Sequence, residues 1–73
     1  MELYIREHCP YCIKVRKAIE GIKLDITLKD IADEENETKL IELGGKRQVP
    51  FLVDGDTMMY ESDDIIDYLQ AKK

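Results

Sequence analysis

Cys9-Pro10-Tyr11-Cys12 decides how this chain is read: it holds both cysteines, follows the short apolar run Leu3-Tyr4-Ile5 and opens a stretch with helical periodicity. Two thiols held at that spacing read as a redox pair. Pro10 lacks a backbone donor and has φ fixed near the helical value, so it suits the first position of a helix and sets Cys9 at or beside the N-cap. There Cys9 faces unpaired backbone N–H groups and the positive end of the helix dipole, both of which favour a thiolate. Cys12 lies one turn further in, partly shielded and within disulfide reach of Cys9. The order is therefore asymmetric: Cys9 is expected to attack and Cys12 to resolve.

A magnitude shows what an acidic thiol is for. Lowering the pKa of a thiol from about 8.5 to about 5 raises its thiolate fraction at neutral pH roughly thirtyfold, but intrinsic nucleophilicity falls by a similar factor along a Brønsted slope near 0.45. Attack gains little. The benefit lies in departure, because a low-pKa sulfur leaves readily when another thiol attacks a mixed disulfide.

Charge is distributed unevenly around this motif. Residues 1–23 carry five basic side chains against three acidic ones, residues 24–43 carry two against seven, and the whole chain has a net charge of −5. The reactive end is the less acidic end and can attract a small anionic thiol. An acidic chain with no basic stripe is a poor nucleic-acid binder, so no nucleic acid is expected as a partner.

The periodicities outward from the motif give an order of elements. Met1 to Arg6 reads as a strand, and from Pro10 to about Glu20 apolar residues at 12, 15, 19 and 22 fall on one helical face, with Gly21 as the stop. Leu24, Ile26 and Leu28 alternate with Asp25, Thr27 and Lys29, which describes a strand buried on one face, suited to a sheet edge. Asp33-Glu34-Glu35 is an acidic start for a second helix carrying Leu40, Ile41 and Leu43, closed by Gly44-Gly45. Pro50 to Val53 and Thr57 to Tyr60 are two short strands around Asp54-Gly55, a hairpin signal. Ser62 is expected to cap a last helix with Asp63 and Asp64 in its first turn, Ile65, Ile66 and Leu69 facing the core, and Lys72 and Lys73 at its negative end.

The order βαβα-ββα predicts an α/β fold: the first βαβ unit demands a right-handed crossover and parallel strands, and the hairpin adds antiparallel strands to the same sheet. A four-stranded mixed sheet flanked by three helices follows. At 73 residues this is one domain, 1–73, near the size where a lone core is only just sufficient. The N-terminal residues contain neither a basic leader nor an apolar core, and no apolar run reaches the roughly 20 residues that span a bilayer, so a cytoplasmic chain with no membrane partner is expected.

With a strand, Cys9-Pro10-Tyr11-Cys12, a helix, and Gln48-Val49-Pro50 before the hairpin, the chain resembles the dithiol glutaredoxins of the thioredoxin superfamily over essentially its whole length. The resemblance implies a thioredoxin-like (glutaredoxin) fold and a thiol–disulfide oxidoreductase with glutathione as co-substrate, acting as a monomer on disulfide-containing or glutathionylated proteins. It implies that Pro50 is a cis-proline against the catalytic cysteine, that Val49 offers its backbone to a bound thiol peptide, that Arg6 meets a glutathione carboxylate and that Tyr11 packs by the mixed disulfide. Arg47 and Gln48 stay open between ligand contact and loop solvation.

The chain departs from the common glutaredoxin pattern after the hairpin, where Tyr60-Glu61-Ser62-Asp63 stands in place of a second Gly-Gly pair. Glu61-Ser62 is similar instead to the N-terminal domain of glutathione transferases, whose Glu/Gln-Ser pair holds the γ-glutamyl group. Ser62 and the free N–H groups of the following helix can receive a carboxylate, while Glu61 or Asp63 can take the ammonium.

His8 beside Cys9 does not make a Cys-His hydrolase, since adjacent residues rarely align in that geometry. No metal is expected: Cys9, Cys12 and His8 form an awkward set for zinc, and an iron–sulfur cluster would need outside thiols. Two alternatives to the glutathione-linked enzyme stay open. One is a small redoxin reduced by thioredoxin reductase, and the other is a non-catalytic glutathione-binding or iron–sulfur-carrying module.

Overall fold

A computed structural model describes residues 1–72. Seven elements follow one another: β1 (Glu2–Ile5), α1 (Pro10–Ala18), β2 (Thr27–Asp30), α2 (Glu34–Gly44), β3 (Phe51–Asp54), β4 (Thr57–Met59) and α3 (Ser62–Ala71). The sheet order is β2-β1-β3-β4, with β1 parallel to β2, antiparallel to β3, and β3 antiparallel to β4. This is the expected four-stranded mixed sheet flanked by three helices, in a thioredoxin-like arrangement. Lys73, expected at the end of the last helix, lies outside the described residues.

β1 is central, and it is buried on both faces. Leu3 and Ile5 join Cys12 and Val15 of α1 and Ile65 and Leu69 of α3 in one core cluster, while Tyr4 joins Phe51, Ile31 and Leu40 of α2 in the other. Successive strand residues point to opposite faces, so α1 and α3 cover one side of the sheet and α2 the other. Full burial of a large aliphatic or aromatic side chain contributes about 1.5–3 kcal/mol, and Leu3, Tyr4 and Leu52 at the sheet centre are all but inaccessible.

The second strand begins three residues later than the alternation suggests. Ile22, Leu24 and Ile26 are half-buried between exposed neighbours, as that alternation demands, and Leu24 and Ile26 pack on the first core. They are not in the ladder, because β1 pairs only from Glu2↔Thr27 to Ile5↔Asp30 and the Ile26 N–H is spent on Leu24 O at 3.0 Å. Thr27 N–H then reaches Met1 O at 2.9 Å and pairing starts. Leu28, expected inside, is 47% exposed on this edge strand.

Helix ends follow local chemistry. α1 stops at Ala18 rather than near Glu20, with Gly21 at φ 83 turning the chain away. Asp33 caps α2 by accepting from the Glu35 N–H at 3.0 Å, and Gly45 at φ 82 ends it in the left-handed conformation that glycine adopts without strain. Ile41, grouped with the apolar stripe of this helix, is exposed, and Leu40 and Leu43 carry the packing. The hairpin turn is Gly55-Asp56 rather than Asp54-Gly55, since Asp54 pairs with Thr57. With φ 60 at Gly55 and no positive φ at Asp56, this turn has the type II′ pattern that fits strand twist.

The N-cap of α3 is Glu61, not Ser62, which occupies the first helical position; Glu61 makes no side-chain cap bond. The cap therefore rests on backbone, with Ile65 N–H bound to Glu61 O at 2.9 Å. At the far end, Tyr68 donates its hydroxyl to Asp54 Oδ2 at 2.5 Å, and Lys72 lies 3.5 Å from the same oxygen, which ties α3 to the hairpin.

Candidate active site

Cys9 is the N-cap of α1, with extended φ −83 and ψ 119, and Pro10 follows as the first helical residue. The chain turns into it through Cys9 N–H on Arg6 O at 3.4 Å, and the first helical bond runs from Ile13 N–H to Cys9 O at 3.0 Å. Cys9 is half-buried and Cys12 fully buried, and both are free thiols. Cys12 packs between the sheet and the two helices, where the Arg6 backbone N–H donates to its Sγ at 3.4 Å.

Burial pushes the Cys9 thiol up, but the backbone N–H groups of Cys12 and Tyr11, a hydrogen bond from the Cys12 thiol and the Arg6 charge outweigh it and hold Cys9 below its ordinary value. The sulfur makes no capping hydrogen bond of good geometry, so these N–H groups act on it chiefly as converging dipoles. Burial pushes Cys12 the other way, to about 11, opposed by the Arg6 N–H and reinforced by the Cys9 sulfur beside it. The two thiols of one motif are thus shifted in opposite directions, Cys9 below its ordinary value and Cys12 above it.

Beside the motif lies a cavity of about 180 Å³ lined by Tyr11, Gln48, Val49, Pro50, Tyr60, Glu61 and Ser62. Three segments far apart in sequence converge there because β3 and β4 carry the loop before one and the helix after the other to the C-terminal end of β1. The Val49-Pro50 bond is cis, as the resemblance implied, and Pro50 is buried. Val49 packs against both core clusters, which anchors the loop end.

Of the positions singled out from sequence, the structure brings Tyr11, Val49, Pro50, Glu61 and Ser62 together on this one cavity. Asp63 does not line it: its Oδ1 is 2.5 Å from Lys14 Nζ, a bond between α3 and α1. Arg6 is exposed and does not line the cavity either, touching the motif through its backbone. Arg47 is turned to Glu37 of α2 at 2.9 Å, whereas Gln48 faces the cavity. Tyr60 is the lining residue that sequence reasoning passed over as a strand end.

A larger hollow, about 360 Å³, lies on the outer surface of α2 among Glu34, Glu35, Thr38, Lys39 and Glu42, with no cysteine. Among the described residues no group of three or more His, Cys, Asp and Glu side chains is placed to hold a metal ion. No helix among them is long and apolar enough to cross a membrane.

Comparison with known proteins agrees with this architecture. The family model for the glutathione S-transferase N-terminal domain matches residues 3–73. Glutaredoxin 2 of Escherichia coli K12 is 43% identical over 75 aligned positions, which take in 94% of this chain and 32% of that protein. The chain therefore spans about a third of the length of the curated relatives it matches. Among solved structures, an unclassified glutathione S-transferase from Bombyx mori matches 97% of this chain and 34% of its own with a TM-score of 0.82 at 23% identity. A buckwheat glutaredoxin–glutathione complex matches 99% of this chain and 69% of its own with a TM-score of 0.70 at 18% identity. These structural likenesses establish the fold, and the sequence match over residues 3–73 establishes kinship. The chain belongs to the glutathione S-transferase N-terminal domain family and is a glutaredoxin-like protein.

Proposed function

We propose that this chain catalyses glutathione-dependent thiol–disulfide exchange, with Cys9 as nucleophile and Cys12 as resolving thiol. The observation that carries the reading is the split environment of the pair, Cys9 at the open N-terminus of α1 and Cys12 inaccessible in the core. The Cys9 thiolate attacks a glutathione mixed disulfide, forming a new S–S bond to the glutathione sulfur, and the substrate thiolate departs with the bonding electrons and takes a proton from water. A second glutathione thiolate then attacks the glutathione sulfur bound to Cys9. Oxidised glutathione leaves and Cys9 returns as a thiolate, favoured as a leaving group by the dipoles that stabilise it.

The dithiol route needs Cys12 to lose its proton. Two of the causes that hold it at about 11 are the hydrogen bond to Cys9 and the charge on Cys9, and both vanish once Cys9 is in a mixed disulfide. Burial remains the main cause and still opposes loss of that proton. Protein disulfides use this dithiol route.

Tyr11, Val49, Pro50, Glu61 and Ser62 are the residues assigned to glutathione, with Ser62 and the α3 N-terminus on its carboxylate and Glu61 on its ammonium. Asp63 and Arg6 are assigned outer, electrostatic parts. The setting is the cytoplasm, where thiols are kept reduced, with glutathionylated or disulfide-bonded proteins as partners of a monomer. Glutathione S-transfer to an electrophile is a second reading, favoured by the family match, but it gives the buried Cys12 nothing to do.

The test is turnover of a glutathionylated peptide with glutathione, or with thioredoxin and its reductase, as reductant. The native chain should turn over with glutathione, and Cys9→Ser should abolish it. Substantial turnover by Cys9→Ser, or reduction only through thioredoxin reductase, would falsify the assignment.

A further inference from the structure

Tyr60 lines the cavity and bonds to the loop that carries Gln48. Its ring stacks on Phe51, centroids 4.5 Å apart at 34°, and its hydroxyl donates to the backbone carbonyl of Lys46 at 3.0 Å. The ammonium of Lys46 lies 4.7 Å from the centre of the same ring. Gly44 makes room for it: a Cβ there would overlap the Tyr60 hydroxyl and ring. The loop from Gly45 to Val49, which carries Gln48 into the cavity, is thereby fastened to the residue immediately before Glu61-Ser62.

We infer that Tyr60 is a positioning residue that fixes the distance between the Gln48–Val49 wall and the Glu61–Ser62 wall, and so sets affinity for the glutathionyl group without touching the chemistry at Cys9. This deepens the proposed function and rests on it for the identity of the ligand. The physical argument is one of ordering. A loop that must be immobilised when ligand binds consumes part of the binding energy, and a loop already held by the protein does not. Cys9 belongs to a different segment, fixed by Pro10 and by the Arg6 turn, so the latch leaves its ionisation alone.

Tyr60→Phe keeps the stack on Phe51 and the ring under Lys46 and deletes only the hydroxyl. With a glutathionylated peptide as substrate, KM should rise about threefold to fivefold, the size of one lost hydrogen bond, while kcat stays within about twofold and the pH profile of Cys9 alkylation is unchanged. An unchanged KM, or a fall in kcat at constant KM, overturns the inference while leaving the proposed function standing. A native chain that neither turns over the peptide nor binds S-methylglutathione overturns both. Should Tyr60→Phe fail to fold, S-methylglutathione titrated into the native chain gives the answer by amide shifts. Joint shifts at Lys46, Gln48 and Ser62 support the latch, and shifts at Ser62 alone contradict it.

Discussion

Lys14 holds Asp63, with 2.5 Å between Nζ and Oδ1, and so ties the first turn of α3 to α1 beside the cysteine motif. The consequence is a division of labour between neighbours: Ser62 lines the cavity while the carboxylate of Asp63 is engaged across the helices. Ser62→Ala is expected to raise KM for a glutathionylated peptide about tenfold to a hundredfold, as loss of a hydrogen bond to a charged ligand does, whereas Asp63→Asn should change it less than about twofold. Steady-state kinetics of the two variants check the order, and a larger effect at Asp63 would reverse the assignment.

Cys12 supplies a second separation. Cys12→Ser leaves the Cys9 thiolate and the cavity intact, so deglutathionylation should persist while reduction of protein disulfides is lost. Parallel assays with a glutathionylated peptide and a disulfide-bonded protein measure the two routes. Equal loss of both would mean that glutathione does not release Cys9 directly.

Gly44 is where a helix-propensity argument and a packing argument disagree. Near the end of a helix, Gly→Ala should help by up to about 1 kcal/mol, but the added methyl overlaps Tyr60, and overpacking costs typically 1–3 kcal/mol. Gly44→Ala is therefore expected to lower stability in urea unfolding, and Tyr60→Leu in the same chain to recover part of the loss. Gly45→Ala meets open space but sits at φ 82, so its loss should not respond to Tyr60.

Acid should loosen the far end of α3. The Tyr68 hydroxyl bond, with the Lys72 charge behind it, holds the Asp54 carboxyl below its ordinary 3.8. A carboxyl depressed on folding contributes stability fully above its unfolded pKa and loses it as pH falls through the folded one. Tm measured downward from pH 5 should fall, and the fall below pH 4 should be shallower in Tyr68→Phe. A variant with an unaltered slope would remove Asp54 from the account.

Much of this was legible in the sequence because the signals were local. Pro10 and Cys9 announced the start of α1, Asp33 and Gly45 bracketed α2, and the spacing around Gly55 announced the hairpin. What escaped depended on partners. The alternation from Leu24 to Leu28 described burial correctly at Leu24 and Ile26, but the hydrogen-bonded strand could begin only where β1 offered partners. Ser62 looked like a cap because its residue type suits one, yet Glu61 has the cap geometry and leaves Ser62 in the helix. Asp63 looked free until α1 brought Lys14 to it. Tyr60 gave no signal at all, since its place depends on Gly44, sixteen residues earlier, lacking a side chain.

The central claim is that Cys9 ionises more readily than an ordinary thiol because backbone dipoles at the start of α1 converge on it. Alkylation of the native chain by iodoacetamide, followed against pH with site-resolved mass spectrometry, measures this directly. Cys9 should titrate below the ordinary cysteine value of about 8.5, with Cys12 unreactive until higher pH. A Cys9 midpoint at or above about 8.5, or Cys12 reacting first, would contradict the account.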